Sequence, residues 1–487
     1  MTMSAETAAP ARKPGLFAQL GGMPRAFWMV NVMEMIERLA YYGVRVVVPI
    51  YIAQADEPGG LHFTQVQKAV IYAWWAAVQA GVPVFSGGFA DRLGYKKTIA
   101  FATVITICGY ILMATQRMYL PFLLGACTVG LGTAFFKPGL QGTLVRTLNT
   151  GISSIGWGTF YMVVNIGGFL GPPLAHYLKG VSWPMVFFGS AAILSLNFLM
   201  LLTYPGVSPG GVQRGGPLAI MKLTLTNLVR PKLISFILIM SGFWLMFMQL
   251  FDLLPNFIVD WVDSRGLVQA LHLPGMFTTE TARGTMIAQE WMINVDAGLI
   301  VLMVVWISWI AARMKRVQSI FLGICIASVG LLVAGFSMAG ALCILGILCF
   351  AIGEMLSSPK MNEYLGVIAP EGQKALYMGY ANMPFAIGWV FGSLAGGSLY
   401  EKLGEKASLA LRYLQQHGGV PAGVERTNAM EALQRATGLD PNAATRMLWN
   451  TYHPYRVWLP FVVLGFVAAI GIGLYSRWIS KDEKINV

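Results

Sequence analysis

Charged residues are scarce in this chain. Only 11% of its 487 residues are Asp, Glu, Lys or Arg, whereas 56% are hydrophobic. Soluble globular proteins carry roughly 25% charged residues, so the deficit excludes a disordered chain, a coiled coil and an ordinary cytosolic enzyme. Long apolar runs separated by short charged loops instead predict an all-α polytopic membrane protein.

Cysteines and catalytic motifs are also few. The five cysteines all lie inside apolar runs without paired spacing, which predicts neither disulfides nor a metal site. No Ser-His-Asp, HExxH or GKS/T pattern is visible in the sequence. We therefore expect no enzyme, no catalytic residues, no metal and no cofactor.

Apolar runs of about 20 residues predict membrane-spanning helices. Twelve such runs lie near 27–53, 68–90, 98–115, 118–145, 156–178, 183–203, 233–258, 291–312, 318–338, 339–368, 374–400 and 457–479. They predict two six-helix bundles, at 27–204 and 233–480, between tails at 1–26 and 481–487. The linker at 205–232 is Gly/Pro-rich, then basic and weakly amphipathic, which predicts a helix on the membrane surface. Two long outer segments remain, at 259–290 and 401–456, the second with helical periodicity.

The net charge of +12 reflects where lysine and arginine lie. They crowd the loops of one side, and the short loops of the other side carry only Lys68, Arg117 and Lys179. The positive-inside rule then predicts cytoplasmic termini and a bacterial inner-membrane location. The basic residues form no patch with interleaved aromatics, so lipid rather than nucleic acid is the expected partner. We expect a monomer.

A few ionisable residues remain inside the predicted spans, where each costs about 2.5–3.5 kcal/mol at the helix centre. The first span is densest. At about 100° per residue, its polar side chains fall within an arc of roughly 140°, comprising Glu34, Glu37, Arg38, Tyr41, Tyr42 and Arg45. Such a face should line a central cavity. A carboxylate that loses its arginine partner takes up a proton more readily, which would couple protons to conformation.

Two further charges lie at similar positions along predicted spans of the two different bundles. Lys137 lies near the middle of the fourth span and Glu354 near the middle of the tenth. We expect them either to pair across the two halves or to bind opposite ends of a substrate. Lys360 and Glu363 lie closer to the cytoplasmic end at i,i+3 spacing, which favours a structural or gating pair.

These motifs resemble the signatures of the proton-dependent oligopeptide transporters, a family of the major facilitator superfamily. The resemblance is carried by ExxERxxYYG at 34–43, FYMVVNIGGFLG at 160–171, GxGxxxFKP at 130–138 and GExxxSP at 353–359. FADRLG at 89–94, with Asp91 and Arg92, is similar to the general major-facilitator loop motif. The second half has a weaker counterpart of that loop at 310–316.

The resemblance implies the major facilitator fold and proton-driven import of di- and tripeptides. It implies proton coupling by Glu34, Glu37 and Arg38, to which we add Asp296 and Glu354. The expected substrate-binding residues are Tyr41, Tyr42, Arg45, Tyr72, Lys137, Asn165, Gln249, Asp296, Glu354, Ser358 and Trp389. Lys137 would attract the peptide carboxylate and Glu354 the amino group. The expected gating or structural residues are Asp91, Arg92, Asp252, Lys360 and Glu363.

The sequence also departs from the family. Many members carry an acidic residue near Met248 that can pair with the arginine at Arg45, and this chain has none there. Asp252 lies one turn away, and Asp296 stands where the family usually has asparagine, so either could supply the carboxylate. The linker is too short for the two extra helices of many bacterial members.

Two alternatives to a peptide symporter stay open. One is a symporter or exporter of the same fold for a non-peptide solute. The other is a membrane enzyme or receptor that uses 401–456 as a partner surface.

Overall fold

The computed structural model describes residues 20–83, 90, 92–148, 153–207, 226, 230–368 and 380–482. Asp91, the membrane-surface helix predicted in the linker and the two chain ends at 1–19 and 483–487 lie outside the described residues. Within the described residues, twelve helices contain 17 residues or more, and each overlaps one predicted span.

The N-terminal half, residues 25–203, contains six of the long helices. In chain order they are α1 (Arg25–Ala53), α2 (Gln65–Gly81), α3 (Tyr95–Thr115), α4 (Tyr119–Thr147), α5 (Ser153–Val181) and α6 (Trp183–Thr203). The closest neighbours within this half are α3 with α4 and α1 with α5.

The C-terminal half, residues 231–482, contains the other six, with one of them broken. Its elements are α7 (Pro231–Phe247), α8 (Gln249–Asp252), α9 (Leu254–Trp261), α10 (Arg265–Leu271), β1 (Thr278–Thr281), β2 (Gly284–Ile287), α11 (Gln289–Ala311), α12 (Arg316–Gly335), α13 (Gly340–Ile368), α14 (Asn382–Leu403), α15 (Lys406–Gln416), α16 (Ala429–Thr437), α17 (Pro441–Tyr452) and α18 (Leu459–Asp482). The prediction of one continuous helix at 233–258 is therefore wrong. The chain breaks at Met248 and again at Leu253, just before Pro255, and resumes as α9.

Local capping explains a second difference from the predicted spans. The Thr64 side chain accepts a hydrogen bond from the Gln67 amide (3.1 Å), and the Gln67 side chain accepts one from the Thr64 amide (2.9 Å). This capping box starts α2 at Gln65, three residues before the predicted boundary at 68. Lys68, predicted to lie in a loop, is therefore inside a helix, and Lys179 likewise lies inside α5.

Glycines let α1 and α5 approach closely. A Cβ added at Gly171 would lie 2.6 Å from the amide nitrogen of Gly43 and 2.7 Å from the carbonyl oxygen of Leu39. Any larger side chain there would push the two helices apart. The glycine-rich run at 167–171 thus serves close helix packing, as expected from its place in an apolar span.

The segments that leave the bundle on one side form what we call the cap, residues 262–288 and 404–458. The first contains α10 and the antiparallel hairpin β1–β2, in which Thr278 pairs with Ile287. The second contains α15, α16 and α17, which confirms the helical periodicity of 401–456. Their apolar faces are buried together, since Leu409, Leu433 and Leu448 are all fully buried.

Hydropathy alone identifies eight of the described helical stretches as long and apolar enough to cross a membrane. Helix α1 falls outside that group and carries four charged residues between positions 34 and 45. Helix α2 has 17 residues, at the short end of the length that a span needs. The two halves meet where α2 packs on α14 and α5 packs on α11.

Candidate functional site

A cavity of about 330 Å³ lies between the two halves. Helices α1, α4 and α5 supply one wall, and α7, α11, α13 and α14 supply the other. Among the residues predicted to bind substrate, those that line it are Tyr41, Tyr42, Arg45, Lys137, Asn165, Asp296, Glu354 and Trp389. The other three do not line the cavity: Tyr72, Gln249 and Ser358.

The polar face of α1 builds a buried ionic cluster beside this cavity. Arg38 Nε lies 3.3 Å from Glu34 Oε1, one helical turn away, and also contacts the carboxylate of Glu37. The guanidinium lies over the rings of Tyr41 and Tyr42, at 4.9 and 5.9 Å from their centroids. Of the three ionic residues only Arg38 lines the cavity, so both carboxylates reach it through the arginine.

Asp252 is the partner of Arg45. The two side chains form a buried ion pair between α1 and α8, and Arg45 lies over the ring of Tyr72 at 4.5 Å. Trp389 Nε1 donates to Asp252 Oδ2 (3.2 Å), and Ser393 Oγ donates to the same oxygen (2.5 Å). Of the two carboxylates considered for this position, Asp252 therefore occupies it. Tyr72 lies behind Arg45 and does not line the cavity.

Lys68 joins the two halves beside the site, a contact that the predicted loop position does not anticipate. It is buried, and its Nζ donates to the carbonyl oxygen of Asp252 (2.9 Å) and to Asn256 Oδ1 (2.7 Å). Asn256 in turn donates to the carbonyl oxygen of Pro49 (3.2 Å). The Thr64–Gln67 capping signal, which places Lys68 in the first turn of a helix, was present in the sequence and could have found it.

Lys137 and Glu354 enter the same cavity from different halves but do not form an ion pair in the described structure. Glu354 Oε2 has no hydrogen-bond partner. Of the two expectations for this pair, direct pairing is not what the structure shows. The arrangement leaves one positive and one negative pole facing the same space.

The remaining predicted residues lie around the cavity. Gln249 is buried and donates to the carbonyl oxygen of Leu245 (2.8 Å), where it packs against the glycines of α14. Ser358 lies one turn beyond Glu354, with no hydrogen-bond partner for its Oγ. Asn165 lines the cavity while its amide donates to the carbonyl oxygen of Tyr161 (2.8 Å).

The predicted gating pair lies at the end of α13. Lys360 Nζ contacts Glu363 Oε2 at 2.7 Å, and Arg316 Nε contacts Glu363 Oε1, also at 2.7 Å. Glu363 is partly exposed and ties α13 to the start of α12. Arg92 is exposed. Within the described part of the chain, no group of three or more His, Cys, Asp or Glu side chains is placed to hold a metal ion.

A clasp between the halves closes the cap side of the cavity. Arg426 from the cap donates to the carbonyl oxygens of Ala53 (3.2 Å), His62 (3.0 Å) and Phe63 (2.7 Å) in the N-terminal half. Those three bonds come from Nη2. Arg426 Nη1 lies 2.6 Å from Glu405 Oε1, and Gln65 Nε2 donates to the same oxygen at 3.0 Å. Burial raises the pKa of the Glu405 carboxyl, and Arg426 opposes that rise.

A second cap-side contact joins α5 to α11. His176 Nδ1 lies 2.5 Å from Glu290 Oε1, and Lys179 Nζ lies 3.9 Å from the same oxygen. Together with the Arg45–Asp252 pair and the Arg426 clasp, this contact joins the halves from the level of the cavity outwards to the cap.

A polar cavity between two helical halves, with buried ion pairs joining them, defines a membrane transporter. The chain belongs to the Major Facilitator Superfamily, whose family model matches residues 30–292. This confirms the superfamily predicted from the sequence motifs.

Solved structures with the same fold are transporters of the proton-dependent oligopeptide (POT) family. One, in complex with 5-aminolevulinic acid, superposes with a TM-score of 0.67 at 17% identity and covers 88% of this chain and 98% of its own. Another, in complex with a thioalcohol-conjugated peptide, gives 0.69 at 16% identity and covers 95% of this chain and 97% of its own. The predicted fold class, an all-α major facilitator, is thereby confirmed.

A curated relative has a different name. The multidrug resistance protein MdtH of Edwardsiella ictaluri (strain 93-146) is 22% identical over 331 residues, which cover 66% of this chain and 75% of the relative. The family and the fold of this chain are those of membrane transporters.

Proposed function

We propose that this protein is a proton-coupled symporter that imports di- and tripeptides across the cytoplasmic membrane by alternating access. The observation that carries the proposal is the placement of Lys137 and Glu354 on opposite walls of one cavity without a mutual ion pair. A peptide is a zwitterion, so it needs a cation for its carboxylate and an anion for its amino group. The likeness to POT structures with bound substrates supports this assignment.

The cluster of Glu34, Glu37 and Arg38 supplies the coupling in this proposal. Both carboxylates are buried and held by one guanidinium at the cavity edge. A substrate or helix movement that draws Arg38 away leaves a buried carboxylate without its counter-charge, and that carboxylate then takes a proton. The proton is the only coupling species, and no cofactor takes part.

Alternating access requires the cap-side contacts to break and re-form. In the structure Arg45–Asp252, His176–Glu290 and the Arg426 clasp hold the halves together on that side. We propose that the opposite side, which carries the basic loops, faces the cytoplasm together with both termini. We propose a monomer in the inner membrane of a bacterium.

The decisive test is uptake into proteoliposomes. With an imposed inward proton gradient, the purified full chain should accumulate labelled dialanine, and unlabelled di- and tripeptides should compete while single amino acids should not. Failure across a peptide library would contradict the assignment.

The second candidate is a symporter or exporter of a non-peptide solute, which the name of the MdtH relative favours. The aromatic side chains of Trp244, Phe385 and Trp389 in the cavity wall suit such a compound. Proton-driven extrusion of a drug-like compound from inverted vesicle preparations, without peptide competition, would support this reading instead.

A further inference from the structure

Two carboxylates of the C-terminal half face the cavity without a basic partner. Asp296 on α11 is only 4% exposed, and its Oδ1 has no hydrogen-bond partner. Glu354 on α13 lines the same cavity, and its Oε2 also has none. Two carboxylates in the wall of one cavity repel each other electrostatically. In a low-dielectric cavity such repulsion is strong unless positive charge offsets it.

A third acceptor lies beside this pair. Asn294, two residues before Asp296, also lines the cavity and is 3% exposed. Its amide nitrogen donates to the carbonyl oxygen of Phe169 (2.9 Å), but its Oδ1 has no donor. A buried acceptor without a donor costs free energy. This uncharged oxygen adds a third acceptor at this end of the cavity that no described side chain or backbone group satisfies.

The two arginines that line the cavity are engaged elsewhere. Arg38 binds Glu34 and Glu37, and Arg45 binds Asp252. Lys137 enters the cavity from the opposite wall, on α4. Among the described side chains, none of these cations contacts Asp296 or Glu354, so these carboxylates are available to the donors of a bound molecule.

We propose that Asp296, Glu354 and Asn294 form a pole for two cationic N–H groups, so that the preferred peptides carry lysine or arginine as their first residue. The inference rests on the proposed peptide function and names the substrate class within it. The α-ammonium group offsets one carboxylate, and the basic side chain offsets the other. Trp244 and Phe385, which line the cavity from α7 and α14, offer ring faces on which the basic side chain can lie.

The test measures dissociation constants of the purified full chain for Lys-Ala, Ala-Lys and Ala-Ala. Wild-type protein should bind Lys-Ala about tenfold more tightly than Ala-Ala, the gain expected from one charge-assisted hydrogen bond. Ala-Lys, which places the same charge at the other end, should gain less. Asp296→Asn should remove most of the Lys-Ala preference, so that the ratio of the Lys-Ala and Ala-Ala dissociation constants falls from about tenfold towards one.

Two further variants keep the result interpretable. Asp296→Glu retains the carboxylate and should keep the preference, whereas Glu431→Gln removes an exposed carboxylate on the cap and should change nothing. The ratio of the Lys-Ala and Ala-Ala dissociation constants is measured on wild-type protein, so this part of the test does not depend on the folding of any variant. Equal binding of Lys-Ala and Ala-Ala by wild-type protein, or an unchanged ratio in Asp296→Asn, would overturn the inference while leaving peptide transport intact. Absence of binding by all three peptides would overturn the proposed function as well.

Discussion

Removing Arg426 should open the cap side of the transporter. Arg426 is the one cap residue described here whose side chain donates to three carbonyl oxygens of the opposite half, those of Ala53, His62 and Phe63. Arg426→Ala removes all three bonds. Its ion pair with Glu405 lies within the C-terminal half and so contributes less to closure.

The magnitude follows from the geometry. The side chain is 15% exposed, and the two hydrogens of its Nη2 are shared among the three carbonyl oxygens, so each bond is worth less than a fully buried charged one. At roughly 0.7 kcal/mol net for each of the three, closure loses about 2 kcal/mol. That corresponds to roughly a thirtyfold change in the ratio of cap-closed to cap-open molecules.

The assay is a distance measurement between spin labels on the two halves. Met118 and Leu271 are exposed on the cap side, one in each half, and can be replaced by labelled cysteines. Arg426→Ala should add a longer-distance population that wild-type protein lacks. Arg412→Ala is the matched control, because Arg412 donates to the carbonyl oxygen of Lys402 (2.8 Å) within its own half. A distance distribution in Arg426→Ala identical to that of wild type would refute the role of the clasp.

The other predictions concern the ionic groups. Glu37→Gln should abolish gradient-driven accumulation while sparing exchange of labelled for unlabelled substrate, because it cannot lose or gain the coupling proton; undiminished uphill uptake would contradict it. Lys137→Ala should weaken peptides with a free carboxylate more than amidated ones in a competition assay, and equal weakening would indicate a structural lysine. Asp252→Ala should lower the melting temperature sharply, since an unpaired buried arginine costs about 3–5 kcal/mol, whereas Asp263→Ala, at a partly exposed pair, should cost under about 1 kcal/mol. Because burial raises the pKa of Glu405 in the closed state, closure gains stability as the pH falls and loses it as the pH rises through that pKa. The open population of Arg426→Ala should therefore shrink between pH 7 and pH 5. In the double variant that combines Arg426→Ala with Glu405→Gln, this pH dependence should be reduced.

Helix periodicity predicts the contacts within single helices better than the contacts between distant parts of the chain. The polar arc of α1, with Arg38 between Glu34 and Glu37, follows from residue spacing alone, and so does the Lys360–Glu363 pair. Such contacts lie within one helix, whose geometry is fixed.

Partners from distant parts of the chain could not be predicted in the same way. Choosing Asp252 over Asp296 for Arg45 depends on the helix break at Met248 and Leu253, which turns Asp252 towards α1. Lys68 was misplaced because the span boundary was drawn from hydropathy, and a lysine lowers hydropathy even when it is buried. The Arg426 clasp binds backbone carbonyls, which carry no residue-specific signal in the sequence.

The charge on α1 has a consequence for biogenesis. This helix leaves the ribosome first among the twelve, yet Arg45 has its partner 207 residues further along the chain. At about 5–20 residues per second, that partner follows roughly 10–40 s later. During that interval the nascent N-terminal half holds an uncompensated guanidinium at membrane depth. We therefore expect α1 to be a poor membrane anchor during synthesis. The nascent chain should depend on the insertion machinery until the segment that carries Asp252 has been synthesised.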